Sequence, residues 1–121
     1  MKLREVQRLL HARVLCGSQL LDKEVQCCCG CDLMSDVLAF VKKQALLCTG
    51  LTNIQVIRTA DMTELGAVVF VRGKLPSASV LEEAEVGGLP VLATELTLFE
   101  ACGVLYAAGL KGCGKKDKDE R

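Results

Sequence analysis

Aromatic side chains are nearly missing from this chain: Phe40, Phe70, Phe99 and Tyr106 are the only ones in 121 residues. Surfaces that hold single-stranded nucleic acid stack bases on aromatic rings along a basic groove. Lysine plus arginine and aspartate plus glutamate number 15 each, for a formal net charge of zero. Neither the stacking platform nor the electrostatic footprint is there, which excludes nucleic acid as a partner. Long apolar runs are also missing. The longest, such as Ala67–Val71, have about five residues, against roughly 20 for a bilayer span, so no membrane partner is expected. The stretch Lys2–Leu10 alternates charged with apolar residues and lacks the continuous apolar segment of a secretory signal. The expected location is cytoplasmic. Histidine occurs once, as His11. At the end of a helix it suits a surface cation that complements the helix dipole better than a ligand or a base. No serine or cysteine sits in a nucleophile elbow. The chain is therefore expected not to be an enzyme and to need no cofactor.

What is present is apolar periodicity and cysteine. Half the residues are apolar, and the length fits one domain with a real core. Ala45–Cys48 forms a short apolar run ending at Thr49-Gly50, as a buried strand does. Asn53 can cap a following helix with Ile54, Ile57 and Met62 near one face and Leu65 at its end, and Gly66 marks its stop. Ala67–Val71 is a second strand, continuous enough to be covered on both faces. After the Arg72–Pro76 turn, Ser77 or Ser79 can cap a helix carrying Val80, Leu81, Ala84 and Val86, closed by Gly87-Gly88. Pro90–Ala93 is a third strand. Thr97 and Glu100 then have capping-box spacing ahead of Leu98, Ala101, Cys102 and Leu105, in a helix that stops near Gly109.

Short strands separated by helices of about ten residues imply parallel βαβ units with right-handed crossovers. The expected fold is a single three-layer α/β/α domain over residues 1–110, mainly parallel, ending in a βαβαβα run. The first 44 residues are less regular. Lys2–Ala12 patterns as a helix with Leu3, Val6, Leu9 and Leu10 inward, Arg13–Cys16 and Val25–Cys29 as strands, and Ser35–Lys42 as a helix. Residues 111–121, glycine and charge, are expected to form a frayed tail.

Eight cysteines in a chain whose patterning builds a core without cross-links suggest reduced thiols. Cys27, Cys28, Cys29 and Cys31 cluster locally. On a strand, Cys27, Cys29 and Cys31 would share one face and Cys28 would take the other. Same-face neighbours stand roughly 6 to 7 Å apart at the backbone, whereas a closed zinc site draws thiolates together from two separated pairs. Cys27, Cys29 and Cys31 are thus the candidate ligands for a metal, iron–sulfur or redox reading, with Cys16, Cys48, Cys102 and Cys113 available to complete a site if the chain bends at Gly30. Against it stands the packing of small apolar residues. Gly109, Gly114 and Lys115 fall at P-loop spacing, but no strand precedes them, no helix follows, and Lys116 stands where a serine or threonine belongs.

The residues after each expected strand carry more. They are Thr49, Gly50, Thr52 and Asn53, then Arg72, Gly73 and Lys74, then Thr94, Glu95 and Thr97. Open α/β sheets bind ligands outside the carboxyl ends of their strands, where helix N-termini present free donors. Arg72 and Lys74 would supply charge to an anionic ligand such as a nucleotide, and Thr49 and Asn53 hydrogen bonds. The plainer alternative is that these residues cap helices and form turns.

Residues 21–110 resemble the DRTGG domain family, related in fold to the N-terminal domains of HPr kinase/phosphorylase and of the Mur ligases. The resemblance is carried by Leu21–Val25, by Ser35–Leu38, by TGLTNIQVIRTADM at 49–62, by VFVRGKLP at 69–76 and by LPVLATELTLFEACGVLYAAGL at 89–110. In the motif that gives the family its name, Asp22 is kept, while Lys23 replaces arginine, Gln26 replaces threonine and Cys27-Cys28 stand at the paired glycines. If those glycines admit a backbone or ligand, cysteine side chains obstruct it, so either the site is modified here or the motif is architectural. The resemblance implies a regulatory, non-catalytic module. Relatives are fused to CBS domains in a nucleotide-regulated pyrophosphatase, or stand alone beside hydrogenase and redox subunits. The expected ligand is a nucleotide or another anionic small molecule, the expected state a homodimer, and the stand-alone relatives imply a partner protein such as a redox enzyme. Some stand-alone relatives carry a serine-kinase label, but the kinase's phosphate-binding domain is not expected in a chain of this length.

Overall fold

The computed structural model describes residues 1–114; the remainder of the expected tail, with Lys115 of the glycine–lysine pattern, lies outside the described residues. Helix α1 (Leu3–Leu10) leads into strand β1 (Arg13–Cys16) and, after a single 3-10 turn, into β2 (Cys28–Gly30). There follow α2 (Met34–Phe40), β3 (Leu46–Thr49), α3 (Ile54–Thr63), β4 (Ala67–Phe70), α4 (Ala78–Val86), β5 (Val91–Ala93) and α5 (Leu98–Ala107). The strands lie in the order β1-β5-β4-β3-β2. All neighbours are parallel except β1, which runs antiparallel to β5 with a bulge between Val14 and Cys16. The mainly parallel α/β/α architecture holds.

Every residue of β3, β4 and β5 is buried, the signature of strands covered on both faces. Period-two alternation divides them. Leu47, Val68, Phe70 and Val91 pack under α2, α3 and α4, whereas Leu46, Cys48, Val69 and Leu92 pack under α1 and α5. Three of the caps form where the sequence puts them: Asn53 accepts from Gln55 N–H at 3.1 Å, Ser77 from Val80 N–H at 3.4 Å, and Thr97 with Glu100 closes a reciprocal capping box.

Some expectations fail on helical geometry. Met62 and Val86 are 71% and 87% exposed. Each lies two residues, about 200° of helical rotation, beyond the last inward alanine, Ala60 or Ala84. Helix α3 stops before Gly66: Glu64 takes the left-handed cap at φ 55°, and Gly66 N–H instead bonds Ala45 O at 2.8 Å. Lys111–Gly114, assigned to the tail on composition, lie along the outer edge of β2. Cys28 N–H donates to Lys111 O at 2.8 Å, Cys113 N–H donates to Cys28 O at 3.1 Å, and Cys113 is buried. No helix among the described residues is long and apolar enough to cross a membrane.

Candidate functional site

The strand-end residues singled out in the sequence converge at one edge of the sheet. Parallel pairing of β2, β3, β4 and β5 aligns their carboxyl ends, so the loops into α2, α3, α4 and α5 lie side by side. Backbone bonds knit two of them: Arg72 N–H donates to Leu96 O at 2.8 Å and Gly73 N–H to Thr94 O at 2.9 Å. Arg72 has φ 58° and Gly73 φ 67°. The left-handed backbone at position 73 is the conformation that glycine adopts without strain.

Asp32 anchors the edge, and the sequence reading missed it. One carboxylate oxygen accepts Thr49 Oγ1–H at 2.7 Å and Gly50 N–H at 2.8 Å. The Gly50 amide first, then the Thr49 hydroxyl, hold the Asp32 carboxyl below its ordinary range; Arg72 and Lys74 lower it further and burial opposes them. A methyl group placed on Gly50 would lie 3.5 Å from Arg72 Nη2 and 3.8 Å from each Asp32 oxygen. Asp32 follows a parallel strand, as Thr49-Gly50 does. That strand, β2, is only three residues of cysteine and glycine, which hid the equivalence.

The other expected residues divide by what already engages them. Thr94 is turned inward, its hydroxyl donating to Leu10 O at 2.7 Å and accepting from Leu96 N–H. Thr49 is buried and occupied by Asp32 and by Leu51 N–H. Asn53 Oδ1 caps α3 and Thr52 is half-buried at the same corner. Arg72, Gly73 and Lys74 are exposed. Ion pairs among the described residues join Arg4 to Asp22, Arg8 to Glu5 and Lys43 to Glu64, leaving Arg72 and Lys74 outside them.

Cys27, Cys29 and Cys31 all pack toward the side of α2, α3 and α4, yet the cysteine sulfurs that converge are those of Cys28, Cys48 and Cys102. Burial, first, and the neighbouring Cys113 push the Cys27 thiol up to about 12; burial likewise pushes Cys29 up to about 11. Both are inert thiols at neutral pH. A separate groove of about 540 Å³ opens between the C-terminal halves of α3 and α4, past Ile57, Met62, Val86 and Gly88. It faces the amino ends of the strands, away from Asp32 and Arg72.

A mainly parallel sheet with helices on both faces places the chain in the doubly wound α/β class. The family model of the DRTGG domain matches residues 5–108, and the chain belongs to that family. Among curated protein sequences, none matches it. Among solved structures, the chain is similar to the CBS and DRTGG domains of the regulatory region of Clostridium perfringens pyrophosphatase, complexed with its activator diadenosine tetraphosphate. The TM-score is 0.69 at 13% identity, over 86% of this chain and 45% of the other. The likeness is one of fold, and the chain spans less than half of that structure. Cys27 and Cys28 belong to the two cores on either side of the sheet.

Proposed function

We propose that this chain is a non-catalytic ligand-sensing module that takes a nucleotide or another anionic small molecule at the carboxyl edge of its sheet. The observation that carries this reading is Asp32. The Gly50 amide and Thr49 hydroxyl converge on a single oxyanion beside Arg72, a constellation that holds negative charge and is filled by the chain's own carboxylate. An incoming phosphate meets Arg72 and Lys74 first, and competes with Asp32 for the field of both cations. The activator held by the structurally similar pyrophosphatase region is itself a polyanionic nucleotide, which supports the ligand class.

Isothermal titration calorimetry with AMP, ATP and diadenosine tetraphosphate tests the reading. Binding of at least one is expected, weakened roughly 10- to 100-fold in Arg72→Ala, the worth of one or two charge-assisted hydrogen bonds. Silence across the panel, or affinity unchanged in Arg72→Ala, overturns it. The module is further proposed to act as a homodimer. Phe99 and Tyr106, 88% and 73% exposed and two turns apart on α5, support that part. A monomer at every concentration by light scattering removes it.

A further inference from the structure

Three sulfurs from three separate elements meet on the α1/α5 side of the sheet. Register places Gly30 of β2 opposite Cys48 of β3, with Cys28 two residues earlier on the same face. Helix α5 crosses both strands and lowers Cys102 onto them. The Cys28 and Cys48 sulfurs are 3.7 Å apart, and all three sulfurs lie within 4.8 Å of one another. Cys48 is fully buried, while Cys28 and Cys102 are half-buried. Gly30 makes the meeting possible: a methyl group there would lie 2.5 Å from Cys102 Sγ.

Three sulfurs bound to one ion at about 2.3 Å stand about 4 Å apart in a trigonal arrangement, so the observed spacing needs little adjustment. The donor set selects the ion. Thiolates favour soft metals, Cu(I), zinc and iron–sulfur clusters above all. Structural zinc sites are four-coordinate almost without exception. Among the described residues no histidine, carboxylate or further cysteine joins the three. We propose that Cys28, Cys48 and Cys102 form a binding site for a soft, thiophilic metal ion in three-sulfur coordination, Cu(I) being the ion that fits.

The cluster is prepared for it. The Cys28 and Cys48 sulfurs already lie within hydrogen-bonding distance of each other, at 3.7 Å, with the Cys102 sulfur beside them. Each S–H that binds releases its proton to solvent as the sulfur–metal bond forms, and no oxidation state changes.

The test is an anaerobic titration of the reduced, metal-free full chain with Cu(I) against a competing chelator, read together with X-ray absorption at one equivalent. Three sulfur neighbours are expected around the ion in the unaltered protein. Cys28→Ser and Cys102→Ser should weaken the first equivalent at least tenfold, and Gly30→Ala should weaken it without removing a sulfur. Cys16→Ser and Cys31→Ser should leave it unchanged. A two-sulfur spectrum, a spectrum with nitrogen or oxygen neighbours, or a first equivalent indifferent to Cys102→Ser in a variant with native circular dichroism overturns the site. The sulfur count in the unaltered chain decides the matter even where a variant fails to fold. Nucleotide affinity at the carboxyl edge is measured separately, so either reading can fail alone.

Discussion

Substitution of Asp32 should act in opposite directions on folding and on the proposed binding. Its carboxyl is held below the ordinary value in the folded chain, so its contribution to stability is present above the unfolded-state value. It fades as pH falls through the lower, folded one. Denaturant titrations between pH 5 and pH 2 should show a shallower acid loss in Asp32→Asn than in the unaltered protein. Asp32→Ala, which leaves the Gly50 amide and Thr49 hydroxyl without their acceptor, should lower stability at pH 7 by about 1 kcal/mol, a small value because the carboxylate is solvent-exposed. Binding should move the other way. With the competing charge gone, Asp32→Asn should tighten nucleotide affinity severalfold in calorimetry, and weaker binding would show that the carboxylate helps to hold the ligand instead. Arg72, Gly73 and Lys74 were legible as a group because glycine and charge follow an apolar strand. Asp32 was not, because its role depends on which strand lies beside β3, and pairing of distant strands is not written in local sequence.

At the scale of elements, the helix starts after β3, β4 and β5 were readable, since Asn53, Ser77 and Thr97 each precede an apolar-periodic segment. Thr97 anchors the helix that carries Cys102. Thr97→Ala should cost about 1 kcal/mol in chemical denaturation, with α5 the first element to lose amide protection. Faces were less legible than starts. Met62 and Val86 are apolar and near the expected faces, yet the register of α3 and α4 on the sheet turns them to solvent. Cys28, Cys48 and Cys102 illustrate the same limit, as residues 20 and 54 apart in sequence become neighbours only through parallel pairing of β2 with β3 and the crossing of α5. The alternation of Cys27, Cys28 and Cys29 across a strand was legible, and it separates the two cores on either side of β2 as period two requires.

For the whole molecule, the parallel sheet gives the domain two unlike ends. The carboxyl end collects Asp32, Gly50, Arg72 and Lys74; the amino end carries the groove past Met62 and Val86. The α/β class followed from strand and helix alternation, while the antiparallel β1 and the pairing of Lys111–Gly114 with β2 did not, because both are contacts between the ends of the chain and its middle. The proposed ligand sits at the carboxyl end. Amide chemical shifts recorded during a titration of the full chain with ATP test it most directly. The largest saturable changes should fall on Gly50, Arg72, Gly73 and Lys74; changes confined to Met62, Val86 and Gly88 at the opposite end would place the ligand elsewhere.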